Sequence, residues 1–225
     1  MVNLRYIWRP FLKYGQMIKL EENTTIYYQG EVGKGFYYLD KGSVKITLLT
    51  EKGAERTVNY VPEGMLLGEN GINKEPYLTT AVTTAPSVLY YFTNEATLKI
   101  YEEEPKAVIL FTNSLLYKFR LLAEIITFLN LPIEQQMAHY LLKLVKENEE
   151  FPFNQTSFAR YVGTSRITVN KIIQKWSKEK WIELSNQNIY IKNISKLKEI
   201  RDQNSKNIGD LDMLMLPLMP LSICL

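Results

Sequence analysis

The sequence predicts an α+β chain. An antiparallel β-roll, jelly-roll-like (a double-stranded β-helix), is followed by one long helix and a C-terminal winged helix-turn-helix. Three patterns predict this order: short β-type runs split by glycine in residues 17–92, an unbroken apolar helical period to about residue 129, and two helical segments before a hairpin pattern in residues 154–192. With 225 residues, 46% of them hydrophobic, the chain can hold two ordinary domains.

The roll is predicted from alternating polar and apolar side chains, which are typical of strands with one buried face. Residues 43–48 alternate in this way, and the Lys-Gly pairs at 41–42 and 52–53 mark turns. Six to eight strands fit between Met17 and Phe92. Because double-sheet rolls often enclose a small-molecule cavity, we predict an effector-sensing domain in residues 1–104.

Two helices are predicted after the roll. Asn94 can cap a short helix through about Glu103, and Pro105 opens a longer helix that ends near Leu129. This long helix and the hinge after it form the predicted segment 105–130. Its apolar row packs either on its own domain or in the seam of a parallel homodimer. The row follows a heptad pattern: Val108, Thr112, Leu115, Phe119, Leu122, Ile126 and Leu129.

The third pattern predicts a helix-turn-helix with a hairpin wing in residues 131–208. Residues 156–162 have helical spacing, Gly163 ends that helix, and Thr164 or Ser165 can cap the next one. The second helix spans Arg166 to about Lys178. Its predicted buried side chains are Val169, Ile172, Ile173 and Trp176, and its polar ones are Arg166, Asn170, Lys171, Gln174, Lys175 and Lys178.

The charge distribution indicates that this segment binds DNA. Residues 154–192 carry seven basic and two acidic side chains, a net charge of +5, whereas the whole chain carries +3. Residues 1–129 carry fourteen of each sign, so the first half has no general attraction for polyanions. A basic run alone is usually a solvated helix face. Here it coincides with turn chemistry, a capped second helix and a hairpin, which favours binding to duplex DNA.

Composition excludes several kinds of site. Cys224 is the only cysteine, so no cysteine-rich metal or iron–sulfur framework is expected. The sole histidine, His139, is interpreted as an ordinary helix residue, and we expect no metal, no cofactor, no catalytic residue and no enzyme activity. The start of the chain has neither a secretory nor a membrane-spanning pattern, which favours a cytoplasmic protein without a membrane partner. The apolar tail, residues 209–225, has no assigned role.

In this order, the elements resemble the Crp/Fnr family of bacterial transcription regulators over residues 17–200. The most specific matching string is VGTSRITVNK, residues 162–171. In the catabolite activator of that family, the corresponding stretch has Arg, Glu and Arg as base-reading residues. The resemblance implies that Arg166 takes the first Arg position, whereas Ile167 and Lys171 replace the Glu and the second Arg. The DNA half-site that this chain reads should therefore differ from the half-site of the catabolite activator.

The resemblance also implies a homodimer on a pseudo-palindromic double-stranded DNA operator, with RNA polymerase as a further partner. Arg166 can clasp guanine with two hydrogen bonds, whereas Ile167 offers only apolar contact. Ser165, Thr168 and the amides near Thr156 are expected to hold phosphates, which position the protein without specifying sequence. The candidate DNA-binding residues are Thr156, Ser165, Arg166, Ile167, Thr168, Asn170, Lys171 and Lys175.

The first half resembles the cyclic nucleotide-binding roll of the same family through GEVGKGFYYLDKGSVKI at 30–46 and LLGENG at 66–71. Cyclic-nucleotide members place an Arg before Ser or Thr and Ala to neutralise the phosphate. This chain has Thr79 at that Arg position. Because a buried phosphate without a cation is costly, we do not expect cyclic AMP to be the effector.

We expect instead an aromatic or weakly anionic effector between the roll and the long helix, because the tyrosine-rich strands look more like the halophenol-responsive members. Arg120 is the predicted partner of a carboxylate or phenolate. The candidate effector-binding residues are Tyr60, Leu67, Gly68, Glu69, Tyr77, Thr79, Thr80, Phe119, Arg120 and Ala123.

Three functions stay open at this point: an effector-gated transcription regulator, a regulator that binds DNA constitutively and whose roll only dimerises, and a winged helix used for protein contacts. In the gated case, Asn130 to Pro132 form the predicted hinge, with Asn130 as cap and Pro132 at the first position of the next helix.

Overall fold

The computed structural model describes residues 5–51, 53, 55–147, 154–185 and 188–203. These residues divide into two compact units, and the boundary follows Arg120 within the long helix. Each unit is described by itself. The apolar tail lies outside the described residues. None of the described helices combines the length and the apolar character that a membrane span needs.

The first unit is the predicted antiparallel roll. Eight strands are present among its described residues, and a 3-10 turn, Arg9–Tyr14, precedes them. The strands are β1 (Gln16–Leu20), β2 (Thr25–Tyr27), β3 (Gly35–Lys41), β4 (Val44–Leu49), β5 (Glu55–Val61), β6 (Leu66–Leu67), β7 (Thr80–Thr83) and β8 (Ser87–Thr93).

Two four-stranded sheets form the roll, with strand orders β1-β8-β3-β6 and β2-β7-β4-β5. All their pairings are antiparallel, as in the Phe36–Phe92 pair of β3 and β8. Leu39, Val44 and Leu89 are fully buried in the core that the two sheets share. A second apolar cluster collects Trp8, Phe36, Phe92 and other rings around the N-terminal turn. Apolar burial on both faces stabilises the β3–β8 pair.

The roll is followed by α1 (Asn94–Glu103) and α2 (Lys106–Leu129). The prediction that Asn94 caps α1 is wrong, because the Thr93 hydroxyl accepts the hydrogen bond from the Ala96 amide at 3.1 Å. The Asn94 side chain instead accepts a hydrogen bond from the Asn73 amide. This exchange moves the cap by one residue and leaves the helix at its predicted place.

Opposite faces of α2 have different surroundings. Ala107, Phe111 and Ser114 are buried, and they follow one helical stripe. The seven residues of the predicted heptad row, residues 108–129 at steps of four and three, are all exposed, with Phe119 at 70% and Ile126 at 67%. This row is not packed in the chain by itself, which contradicts the alternative in which it packs on its own domain.

The second unit contains the last turns of α2 and the predicted helix-turn-helix with its wing. Pro132 precedes the first new helix instead of occupying its first position, because its carbonyl accepts the Gln136 amide at 3.1 Å. One helix was not predicted: α6 (Ile194–Asp202), which packs on α3 (Ile133–Glu147). The elements are α3 (Ile133–Glu147), α4 (Gln155–Val162), α5 (Arg166–Lys178), β9 (Ile182–Ser185), β10 (Asn188–Ile191) and α6 (Ile194–Asp202).

Candidate functional site

Local turn chemistry positions α4 and α5. The Asn154 side chain accepts hydrogen bonds from the amides of Thr156 and Ser157 at 2.9 and 3.0 Å, which satisfies the free N–H groups at the start of α4. Gly163 ends that helix with a φ of 83°, a left-handed conformation that favours glycine. Of the two predicted caps for α5, Ser165 is the one used, because it accepts the Thr168 amide at 3.1 Å.

The two faces of α5 separate packing from possible DNA contact. Val169, Ile173 and Trp176 are fully buried and hold the helix on its unit. The first turn of the other face exposes Arg166 and Ile167, the latter by 69%, and Lys171 follows one turn later. The structure thus brings together these three side chains of different chemistry on one exposed, positively charged surface.

Two of the predicted DNA-binding residues, Lys175 and Asn170, already form hydrogen bonds within the second unit. The Lys175 ammonium donates to Glu134 of α3 at 2.8 Å, and the Trp176 indole donates to the same carboxylate at 2.8 Å. Asn170 is half-buried and accepts from Gln155 at 3.2 Å. Sequence spacing could not reveal the Lys175–Glu134 pair, since its two residues lie 41 positions apart.

The remaining polar candidates lie at the two helix starts. Thr156 is exposed at the start of α4, and the Ser165 and Thr168 hydroxyls are 2.9 Å apart at the start of α5. Helix starts carry partial positive charge, which suits phosphate oxygens. The Thr156 amide, predicted to hold a phosphate, is already bonded to Asn154. The wing follows as the antiparallel pair β9–β10, in register through Leu184 and Ile189.

In the first unit, the candidate effector site centres on a turn after β6 that we call the cassette turn, residues 68–74. Gly68 has a φ of 75°, and the Glu69 side chain that follows is 1% exposed. The Ser114 hydroxyl of α2 donates to Glu69 Oε1 at 2.7 Å. The Lys118 ammonium donates to the same oxygen and to the Leu66 carbonyl at 3.2 Å. Two residues of α2 thus neutralise a buried carboxylate of the roll.

Ser114 and Lys118 were missed at the sequence level. The signal that could have found them is the spacing of the buried stripe, because they continue the row of Ala107 and Phe111 at steps of three and four. A serine and a lysine that interrupt an apolar stripe need a polar partner. Glu69 is that partner, 45 and 49 residues away.

Stacked tyrosines cover the cassette turn. The Tyr27 and Tyr77 rings are stacked with centroids 4.1 Å apart, and Tyr37 continues the stack at 5.9 Å from Tyr27. The Tyr77 hydroxyl donates to the Gly35 carbonyl at 2.8 Å. A Cβ on Gly71 would lie 2.2 Å from the Tyr77 ring, so glycine permits this close approach.

The charge at the cassette turn affects the neighbouring phenol. Burial raises the pKa of Tyr27, and the nearby Glu69 carboxylate raises it further. Tyr27 therefore stays neutral throughout the physiological range. The second carboxylate oxygen of Glu69, Oε2, is buried and has no hydrogen-bond partner among the described residues.

The structure places part of the predicted effector site together. Gly68 and Glu69 belong to the cassette turn, Leu67 directly precedes it, and Tyr77 packs against it. The Thr79 side chain acts on the Tyr27 hydroxyl and partly offsets the rise in its pKa. Two other candidates lie on strands. Thr80 accepts the Gln29 amide at 3.0 Å, and Tyr60 is a half-buried residue of β5 opposite Lys45.

Three α2 candidates, Phe119, Arg120 and Ala123, are exposed, whereas the stripe of α2 that meets the cassette turn carries Ser114 and Lys118. Phe119 and Arg120 therefore do not close the cavity of the roll in the chain by itself, and the prediction for Ala123, which belongs to the second unit, stays a prediction. The one-residue steps of a helix rotate side chains by about 100°, so Arg120 and Lys118 cannot share a face. No group of His, Cys, Asp or Glu suited to a metal ion occurs among the described residues.

Both halves of the chain match known domain families. Residues 17–104 match the cyclic nucleotide-binding domain, and residues 135–200 match the Crp-like helix-turn-helix domain. The cAMP-activated global transcriptional regulator CRP of Salmonella typhimurium is 22% identical over 192 residues, which cover 80% of this chain and 91% of the relative. The cyclic AMP receptor protein of Thermus thermophilus is 25% identical over 195 residues, with 84% and 89% covered.

Solved structures share the fold at lower identity. A CooA mutant from Carboxydothermus hydrogenoformans aligns with a TM-score of 0.74 and 18% identity over 88% of this chain and 95% of its own. The c-di-GMP responsive regulator CLP of Xanthomonas campestris aligns with 0.73 and 18% over 81% and 96%. CprK complexed with OCPA aligns with 0.70 and 15% over 87% and 93%.

The two domain matches follow each other along this chain, a roll followed by a helix-turn-helix. Transcription regulators with this pair of domains are non-enzymatic DNA-binding proteins. The chain belongs to the Crp/Fnr family, as a DNA-binding transcription regulator with an effector-binding domain.

Proposed function

We propose that the chain acts as a homodimer whose two α5 helices read an operator, and that a neutral aromatic ligand at the cassette turn gates this binding. The observation that carries the proposal is the Glu69 carboxylate, which is buried beside stacked tyrosines and tied to α2 by Ser114 and Lys118. A change at the cassette turn must therefore change the contacts of α2.

The exposed heptad row of α2 supports the homodimer. Phe119, Leu122 and Ile126 are 70%, 49% and 67% exposed, and a row of large apolar side chains that faces water favours pairing with a second copy. Two-fold symmetry would place the two α5 helices about one DNA turn apart, ~34 Å, in successive major grooves. A pseudo-palindromic operator follows from this symmetry.

The exposed start of α5 supports sequence reading. Arg166 can donate two parallel hydrogen bonds to guanine O6 and N7, and Ile167 can contact a thymine methyl. Lys171, one turn further on, adds a positive charge near the phosphates or a donor to a base. Because Ile167 offers no hydrogen bond, the operator should differ at that position from one read by a carboxylate.

Selection of operators from a random duplex pool tests the DNA-binding proposal. We expect a two-fold symmetric site, with affinity that falls steeply as salt rises. Arg166→Ala should cost about 1–3 kcal/mol and relax the preference at one base pair in each half-site. Lys198→Ala, which removes an equal charge from an exposed position on α6, is the matched control. Absence of any selected site would favour a protein-interaction module instead.

The electrostatics of the cassette turn argue against a cyclic nucleotide. Thr79 stands where the resemblance calls for an arginine, and Lys118, the cation that reaches the buried side of the turn, is already paired with Glu69, whereas Lys74 of the turn is exposed. A phosphate brought to this place would meet a carboxylate before it met an unpaired cation. The same argument disfavours a ligand carboxylate.

The chemistry at the turn fits a neutral ring that carries a hydroxyl or an amine. Glu69 Oε2 is a buried acceptor that no described residue bonds, and the Tyr27 and Tyr77 rings offer stacking surfaces. In this respect the expected ligand is closer to a halogenated phenol than to cyclic AMP. Its entry requires displacement of Tyr77, which at present lies against Gly68 and Gly71.

Ligand binding can be measured by isothermal titration with cyclic AMP and with neutral phenols and anilines. We expect heat from a phenol or aniline, and loss of that heat in Glu69→Gln, while Asn113→Asp on the same helix retains it. Operator affinity should change between about 5- and 150-fold on saturation. Tight binding of cyclic AMP would contradict this pocket chemistry.

One observation favours the effector-independent regulator as a second candidate. The stacked tyrosines and the Glu69–Ser114–Lys118 contacts fill the cassette turn with the chain's own side chains. A roll that is filled in this way can act as a dimerisation domain alone. Operator binding that no compound alters would support this candidate over the gated one.

A further inference from the structure

A buried cluster of three ionisable groups lies inside the second unit, away from both candidate sites. The Glu124 carboxylate of α2 contacts His139 Nε2 of α3 at 2.6 Å through Oε1, and the Lys143 ammonium at 2.7 Å through Oε2. The His139 and Glu124 side chains are 1% and 9% exposed. We call these three residues the α2–α3 cluster. It joins the last turns of the long helix to the first helix of the DNA-binding unit.

Aromatic packing encloses the imidazole. The Phe128 ring is stacked on His139 with centroids 3.6 Å apart and planes 16° apart, and the Tyr140 ring meets it edge-on at 5.2 Å. On the third side, α6 places the Arg201 guanidinium close enough to act on His139, and Arg201 itself pairs with Asp202. His139 Nδ1 is buried, and no hydrogen-bond partner for it is present in the described ranges.

The protonation states follow from these surroundings. Burial lowers the pKa of the His139 imidazole, although the Glu124 carboxylate acts in the opposite direction. Burial acts to raise the pKa of Glu124, but His139 and Lys143 together bring it below its usual value. At neutral pH the carboxylate is thus charged, the lysine is charged, and a neutral imidazole donates through Nε2.

A second proton on His139 would be poorly accommodated. It would bind to Nδ1, for which the described part of the chain supplies no acceptor, beside the Phe128 ring and in the field of Lys143 and Arg201. The cluster would change from charge-balanced to net positive in a buried place. Opening of the α2–α3 contact, which gives the imidazolium access to water, relieves this cost.

We propose that the α2–α3 cluster is an acid-sensitive latch that holds residues 121–129 of α2 on α3, and that protonation of His139 releases it. Release matters because Leu122, Ile126 and Leu129 of the exposed row lie on these same turns. If these turns of α2 move on α3, the exposed row that they carry changes its position relative to α5 of the same unit. Only this last consequence rests on the proposed homodimer.

The direction of the pH effect is set by the depressed pKa. The unfolded chain binds a proton at an ordinary histidine pKa near 6.5, above that of the folded state. The stability that neutral His139 contributes is therefore complete above about pH 6.5 and declines as the pH falls below it, by up to about tenfold in the unfolding equilibrium per pH unit.

Because the chain has one histidine, a single labelled-histidine NMR signal reports the latch directly. We expect the ring to titrate below 6.5 in the native protein. Lys143→Met should raise this titration point and Glu124→Gln should lower it, because the two charges act on the imidazole in opposite directions. An ordinary titration point that neither variant moves would overturn the proposal, and this measurement needs no substitution at His139.

Hydrogen exchange tests release itself. His139→Gln keeps a donor near Glu124 but cannot gain a proton, so it is the matched control at each pH. We expect the exchange rate of residues 121–129, relative to this variant, to rise between pH 7.5 and 5.5, while that of residues 106–118 does not. A ratio that is independent of pH would contradict the latch.

Operator affinity separates the latch from the proposed function. Between pH 7.5 and 5.5, the native protein should change its affinity by at least about fivefold relative to His139→Gln, the lower end of common allosteric coupling. A changed exchange ratio with an unchanged affinity ratio would refute the link from latch to operator. If neither protein binds any selected duplex at any pH, the proposed function fails and the exchange result still decides the latch.

Discussion

The Ser114 hydroxyl of α2 donates a 2.7 Å hydrogen bond to the buried Glu69 carboxylate of the roll. The two residues are 45 positions apart, and both are nearly excluded from water, at 4% exposure each. A buried carboxylate requires such donors, since its desolvation is otherwise uncompensated. This bond makes α2 part of the environment of the cassette turn.

Ser114→Ala tests the energetic importance of this bond. We expect a loss of about 1.5–3 kcal/mol in the free energy of unfolding, because a hydrogen bond to a charged group is removed while the carboxylate stays buried. Denaturant titration of the purified protein measures it. Lys106→Ala, at an exposed position of the same helix outside the heptad row, is the control and should change stability by less than about 0.5 kcal/mol. Equal effects of the two variants would contradict the assignment.

Phe119→Glu tests the exposed row of α2. A charge at the centre of an apolar seam must be desolvated on pairing, so we expect conversion of the dimer to a monomer at micromolar concentration. Sedimentation velocity measures the oligomeric state. Lys106→Glu at the start of the same helix lies outside the row and should leave a dimer. A dimer that persists in Phe119→Glu would place the homodimer interface elsewhere.

Substitution of Gly163 tests whether the turn between α4 and α5 requires a left-handed residue. Its φ of 83° disfavours a Cβ, so Gly163→Ala should cost about 1–2 kcal/mol, and Gly163→Asn should cost less because asparagine tolerates this region. Thermal unfolding compares the stability of the native protein with that of the two variants. An alanine variant as stable as the native protein would show that the left-handed turn is not required.

Lys171 and Lys175 carry the same charge on the same helix, but they differ in partner. Lys175 is held by Glu134 at 2.8 Å, whereas Lys171 is exposed in the middle of α5. Lys171→Ala should therefore weaken operator binding and reduce the slope of affinity against salt by about one charge. Lys175→Ala should have the smaller effect on binding. Fluorescence anisotropy at several salt concentrations compares them, and a larger slope change for Lys175 would reverse this assignment.

Much of the architecture was predictable because its signals are local. The alternation in residues 43–48, the proline before α2 and the glycine after α4 each act within a few residues of the backbone. The seven residues of the heptad row do share one exposed face of α2. That this face pairs with a second copy stays a proposal. The short helix α6 was missed, although its apolar residues Ile194, Leu197 and Ile200 recur at steps of three and Asn193 caps it.

The sequence assigned the exposed face of the DNA-binding helix better than it assigned the effector site. Arg166, Ile167 and Lys171 could be assigned because their positions relative to a cap and a helical period decide their face. Phe119 and Arg120 point away from the cassette turn in the chain by itself, because a resemblance in chain order does not settle the rotation of a helix. Lys118, two residues before Arg120, is the one that reaches the cassette turn.

By itself, the sequence determined the order of roll, long helix, helix-turn-helix and wing, the bounds of α1, α2, α4 and α5 to within a residue or two, and the polar face of α5. Caps, turns and periodicity are short-range properties of the backbone, which is why they could be predicted. Only the tertiary structure decided which charged groups are buried together. The Glu69–Ser114 and Glu124–His139 contacts join residues 45 and 15 positions apart. Such pairs form because desolvated charges must find partners wherever the fold brings them, and no local pattern records where that is.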